Sequence, residues 1–197
     1  MRRTGSEKLK RLEDLQARIV RDLYLKEWRE VWFFPSFGGV DGWCGTQRIM
    51  FVGRAPSTGH FPTEAERSSD PARRLYTLLN RQGLARAHLT DAIKERVLGL
   101  AVGDIEADKA RMERYRRYLE MEIDIIRPRL IVAMGERTYR IMNDWLGSDP
   151  RLRRIPHYSP RKATEDTRRH FIAELRQISR EYEHMCGRRK VPRTTGR

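Results

Sequence analysis

Three short polar clusters hold the side chains that could do chemistry. Gly53-Arg54-Ala55-Pro56-Ser57-Thr58-Gly59 follows the apolar run Ile49-Met50-Phe51-Val52. Thr90-Asp91 lies at the carboxyl end of a second run, Ala87 to Ile93, and His157-Tyr158-Ser159-Pro160 follows a third, Arg153 to Pro156. Ile49 to Val52 has the composition of a buried strand, while Gly53, Pro56 and Gly59 keep a regular element from starting at once. A buried strand running into such a turn is how α/β proteins build a ligand site, in the crevice beyond the carboxyl ends of their strands. The plain alternative for one such turn is an ordinary strand-to-helix connection. Three of them on one edge are much less easily accidental.

The elements needed to bring them together follow from periodicity. Leu12, Leu15, Ile19 and Leu23 predict a helix from Lys8 to about Glu30. The aromatic cluster Trp28, Trp32, Phe33, Phe34 comes next and reads as core or as a lid over it. Asp70-Pro71 starts a helix whose buried face is Leu75, Leu78 and Leu79 and whose end is Gly83. Asp104 is the expected cap of a long helix with the stripe Met112, Tyr115, Leu119, Ile123, Ile126, terminated by Pro128. Leu130 to Met134 is the clearest buried strand, and Gly135 turns it into a helix carrying Tyr139, Met142 and Leu146. Thr164 opens a last helix with Phe171, Leu175, Ile178 and Tyr182 on one face. Strands and helices alternate, so the fold class is α/β: three layers, α/β/α, around a central four-stranded parallel sheet. A parallel sheet places all three polar clusters on one edge.

The chain has 197 residues, enough for one core. A single domain is expected over 1–187, with a helical and aromatic extension over 1–47 and a basic, disordered tail over 188–197. The net charge is +14, mostly from arginine, and Arg188, Arg189, Lys190, Arg193 and Arg197 of the tail account for only part of it. A basic body suggests a polyanionic partner, with DNA or another nucleic acid the default. Cys44 and Cys186 are the only cysteines. Two cannot supply a four-thiolate iron–sulfur or zinc site, and they fit a reducing, cytoplasmic setting. No run approaches membrane-spanning length. No Gly-x-Gly-x-x-Gly follows a strand, which weakens the case for a dinucleotide-dependent enzyme. No metal and no cofactor is expected, and the chain is taken as a monomer.

In order along the chain, these clusters resemble the motifs of the uracil-DNA glycosylase superfamily, over roughly Ile49 to Ser159. Gly53-Arg54-Ala55-Pro56 is similar to its strand-end Gly-x-x-Pro loop, and His157-Tyr158-Ser159-Pro160 to its His-Pro-Ser-Pro motif, with Tyr158 in place of the first proline. Arg127-Pro128-Arg129-Leu130 to Gly135 is similar to the Arg-Pro-strand-Gly segment of its bacterial branches. Leu89-Thr90-Asp91-Ala92-Ile93-Lys94 is similar to the segment bearing the base-reading asparagine. The resemblance implies a divergent branch without an iron–sulfur cluster. It implies base flipping and hydrolysis of the N-glycosidic bond to leave an abasic site. His157 would stabilise negative charge on the departing base. Ser57, Thr58 and Ser159 would hold phosphates, with Arg161 and Lys162 near the vacated stack. Phe61 is the expected stacking residue for the everted base, with Trp43 and Phe37 as alternatives. His88, ahead of a strand, reads as structural.

The departures from the motifs shape the substrate expectation. Asp91 stands where the family has an asparagine; an ionised carboxylate only accepts, so it would repel uracil O4 and accept from the cytosine N4 amine. Ser57 follows Pro56 where efficient uracil enzymes have a tyrosine against C5, which leaves room there. Together these suggest a C5-modified cytosine, such as hydroxymethylcytosine or its glycosylated form in phage DNA, with Arg54 and His60 near the substituent and Ala55 and Pro56 in the pocket wall. Asp91 could instead cap a helix or pair with an arginine; protonated, it could donate to a carbonyl and return uracil or another deaminated base to the list. Neither Arg54 nor Ala55 can activate water, so Glu64 and Asp91 are the substitutes. A nucleic-acid-binding protein that kept the fold without catalysis is the reading from another class.

Overall fold

The computed structural model describes residues 5–23, 29–31, 33–56, 71–97, 102–158 and 164–187. Six strands lie among them: β1 (Arg29–Val31), β2 (Ile49–Gly53), β3 (His88–Asp91), β4 (Glu95–Val97), β5 (Leu130–Met134) and β6 (Leu152–Ile155). The α-helices are α1 (Gly5–Leu23), α2 (Pro71–Arg81), α3 (Val102–Ala107), α4 (Lys109–Ile126), α5 (Glu136–Leu146) and α6 (Glu165–Met185). A single 3-10 turn, Gly42–Cys44, precedes β2.

Four strands form the expected parallel sheet, in the order β3-β2-β5-β6. All five residues of β2 and of β5 are buried, the signature of central strands covered on both faces. Alternate side chains then serve opposite layers. Met50, Val52, Ile131 and Ala133 pack with α1, α4 and Met142 of α5. Ile49, Phe51, Leu130 and Val132 pack with α2 and α6. From β2 the chain goes outward to β3, then returns across β2 to β5. That reversal makes the carboxyl ends of β2 and β5 the topological switch point, the place where open parallel sheets bind ligands.

Three expectations need correction. The first helix, described over Gly5–Leu23, does not reach Glu30, because Arg29–Val31 is a strand paired antiparallel with β4. Strands of three residues carry too few side chains for periodicity to register. The long helix expected from Asp104 is two helices, because Asp108 interrupts it. The Asp108 side chain accepts from the backbone N–H of Arg111 at 3.0 Å and caps α4 instead. Asp104 lies inside α3. Thr164, by contrast, caps α6 as expected, in a reciprocal capping box with Thr167. Trp28, Trp32 and the tail lie outside the described residues. No helix among the described residues is long and apolar enough to cross a membrane.

Candidate active site

The turn after β2 stays attached to the segment after β3. Ala92 N–H donates to the Gly53 carbonyl at 2.9 Å and Ile93 N–H to that of Arg54 at 3.0 Å. Pairing therefore continues past both strand ends, with Gly53 and Arg54 beside Ala92 and Ile93. Gly53 and Asp91 are cross-strand partners, and the Asp91 carboxyl lies over the glycine. A Cβ on Gly53 would come within 2.1 Å of Asp91 Oδ1 and 3.8 Å of Met134 Cε. Only glycine leaves that space.

Asp91 is 5% exposed. Burial pushes its carboxyl up to about 7; Lys94 pulls the other way, and Glu122 adds to the rise. No described side chain donates to its carboxyl oxygens. Lys94 instead grips the main chain at that point. Its ammonium donates to Thr90 Oγ1 and to the Asp91 carbonyl, and it pairs with Glu122 Oε1 at 2.6 Å.

Glu122 sits on α4, wholly buried, with His88 Nε2 3.1 Å from its other oxygen. His88 Nδ1 faces the Trp43 carbonyl at 2.6 Å and so must carry a proton there. Burial works to raise the Glu122 carboxyl, but Lys94 and His88 together outweigh it and hold it below the usual glutamate range. The Trp43 indole closes the network, its ring 4.8 Å from that of His88 and 5.5 Å from Lys94 Nζ.

His157 lies at the neighbouring strand end. Gly135 has φ +99°, and a Cβ there would meet His157 Cβ at 3.3 Å and Cδ2 at 3.5 Å. The imidazole thus rests on the turn that follows β5, although it comes from the segment after β6. Tyr158 stacks on it, ring centroids 4.6 Å apart and planes at 22°. The tyrosine that replaces the motif's proline is therefore a wall for the imidazole. His157 also lines a cavity of about 310 Å³ between α2 and α6, floored by Leu75, Leu78 and Phe171 and edged by Arg74, Arg81 and Arg168.

Asp91 on β2's Gly53 and His157 on β5's Gly135 occupy neighbouring strand ends, which lie about 5 Å apart in a sheet. Pro56 is buried in the same edge. Arg54 turns away toward α3, where its Nε meets Glu106 Oε1 at 2.6 Å. Trp43 is spoken for by His88, Lys94 and Phe33, and Phe37 packs edge-on against Tyr76. Ser57, Thr58, His60, Phe61, Glu64, Ser159, Arg161 and Lys162 lie outside the described residues. Sequence reasoning missed Lys94 and Glu122. The available signal was Glu122 on the apolar stripe of α4, between Leu119 and Ile126, where a lone carboxylate needs a buried partner.

A four-stranded parallel sheet covered on both faces by helices, its strand order reversing between β2 and β5, defines the α/β class. Within that class, the family model for the uracil DNA glycosylase superfamily matches residues 42–182, and the chain belongs to that superfamily. No curated protein shows a significant match to it. Membership supports a function of the DNA-glycosylase type, exerted on DNA.

Proposed function

We propose that this protein is a monofunctional DNA N-glycosylase whose preferred target is a cytosine carrying a C5 substituent. The observation that carries the reading is Asp91: a buried carboxyl at the carboxyl edge of the sheet, oriented by its backbone and met by no described donor. It is the group left to satisfy a ligand. As a carboxylate it accepts from the N4 amine of cytosine. Ser57, rather than a tyrosine, after Pro56 leaves room for the substituent. Such a specificity would suit defence against phages with modified DNA.

The chemistry asks little of the protein beyond placement and charge. As the glycosidic bond breaks, the sugar gains oxocarbenium character and the base departs with negative charge. His157, held flat between Gly135 and Tyr158, donates to that charge at the pyrimidine O2. Water attacks from the face of the sugar away from the base; with Asp91 engaged on the base edge, Glu64 is the candidate acceptor. Ser57, Thr58 and Ser159 hold the target phosphates, Phe61 stacks on the everted base, and the basic surface supplies sequence-independent affinity.

A second reading is favoured by one observation. With its carboxyl up at about 7, Asp91 is in part protonated at neutral pH, and a protonated acid donates to a carbonyl such as uracil O4. Excision of uracil or another deaminated base in repair is the alternative on that ground. Duplexes holding uracil, cytosine, hydroxymethylcytosine or glucosylated hydroxymethylcytosine, scored for alkali-labile abasic sites, separate the two. Cleavage of the modified cytosines is expected. Cleavage of uracil alone selects repair, and cleavage of none leaves a DNA-binding protein without catalysis. His157→Ala should lower turnover about 10²–10³-fold with little change in DNA affinity; equal losses in both would remove its assigned role.

A further inference from the structure

The residues beneath Asp91 form a closed electrostatic circuit that the glycosylase reading does not use. Lys94 donates to Thr90 Oγ1 and the Asp91 carbonyl and forms an ion pair with Glu122 Oε1, and donates nothing to the Asp91 carboxyl. Glu122 is fixed on its far side by His88, and His88 by the Trp43 carbonyl. The chain of contacts thus ends in main chain at both ends: the Asp91 carbonyl and the Trp43 carbonyl. A cation and an anion are held rigidly below Asp91, and neither neutralises it by a hydrogen bond.

We infer that Lys94, Glu122 and His88 form a positioning device that sets the charge Asp91 carries, and thereby whether the pocket takes a base edge with an exocyclic amine or one with an exocyclic carbonyl. The inference rests on the glycosylase reading for its second half only. Lys94 favours the carboxylate and Glu122 the carboxylic acid, so the two oppose each other at Asp91, and desolvation is the largest influence. Glu122 is the specificity-determining member. Its removal leaves Lys94 uncompensated next to Asp91, while a glutamine there keeps the side chain's shape and an oxygen for Lys94.

The other charged groups around the site are already engaged or lie on its far flank. Arg54, after β2, is paired with Glu106 of α3. Lys8 of α1 donates to the Ile126 and Thr46 carbonyls. Glu95 is buried next to Lys94 on β4. His157 rests on Gly135, at the neighbouring strand end.

The test reads Asp91 directly. The full-length protein, ¹³C-labelled at its aspartate carboxyls, is titrated by NMR between roughly pH 5 and 9. In the unmodified chain Asp91 is expected to titrate near neutrality. Glu122→Gln should move its midpoint down by about one pH unit, and Lys94→Met should move it up by about as much. In parallel, the ratio of amine-bearing to carbonyl-bearing bases excised should rise through the same midpoint and shift with it. Opposite shifts cannot come from a general loosening of the core, which would move both variants the same way. An ordinary aspartate midpoint in the unmodified protein overturns the inference even if neither variant folds. So does a pair of variants that shift together or not at all. Opposite shifts with no base excised at any pH would uphold the charge-setting device and sink the glycosylase reading alone.

Discussion

Glu122 lies wholly inside the protein between Lys94 and His88, whereas Asp91, almost as deep, meets no described donor at its carboxyl oxygens. The two carboxylates sit on one network and in nearly the same dielectric. Burial works to raise both, yet one ends below the usual glutamate range and the other well above that of an aspartate. The difference lies in partners, not in depth. A buried charge with its partners built in is a structural part; a buried acid without them has been left for something that arrives later.

Removing the paired member should do the most damage. Glu122→Ala leaves Lys94 buried without its counter-ion and should cost roughly 3–5 kcal/mol in chemical denaturation. The Glu122 contribution is also the acid-sensitive one. Its folded value lies below the ordinary glutamate value of 4.5, so its stabilisation is complete above that pH and is lost as pH falls through the folded value. A loss under 1 kcal/mol or so would place the two carboxylates in one category.

Asp91→Asn should do the reverse. The Asp91 carboxyl rises from 3.8 to about 7 on folding, so the fold is penalised progressively as pH climbs through that window. Asparagine removes the penalty. The variant should be more stable than the parent at pH 8, by roughly 2–4 kcal/mol, and equal to it at about pH 3. Melting temperatures across that range provide the check, and a variant less stable at every pH would mean that Asp91 has a partner after all. The same substitution should turn base preference toward uracil.

The smallest effect concerns the contact that seats Asp91. Gly53→Ala brings a methyl group against Oδ1 and should cost about 1–3 kcal/mol. In an Asp91→Ala background much of that cost should vanish, giving a coupling of about 0.5–3 kcal/mol in a double-mutant cycle. Additive losses would mean that Gly53 is required by the turn rather than by the acid.

Much of the frame was legible because the sheet is parallel and its central strands are unbroken apolar runs. Ile49–Val52 and Leu130–Met134 could hardly be anything else, and their order fixed which polar tips share an edge. The placement of Asp91 and His157 on that edge followed from topology alone. What stayed hidden depends on contacts distant in sequence. Glu122 stands on the apolar stripe of α4, but that its partners are Lys94 and His88 shows only once the chain is folded. The break at Asp108 was ambiguous because two aspartates, four residues apart, could each cap a helix. Arg54, expected near the base substituent, pairs instead with Glu106, and nothing local announces that partner. The β1–β4 ribbon is too short to leave a pattern.

The family match begins at residue 42, but helix α1, which precedes it, sends Leu12, Leu15, Ile19 and Leu23 into the same apolar cluster as Trp43 and Leu119. Lys8 ties that helix to the last carbonyl of α4, the element that carries Glu122. An expression clone trimmed to the recognisable homology would therefore strip one wall from the hydrophobic interior. It would be expected to come out insoluble, or with its acid–base circuitry misaligned, while every motif residue was still present.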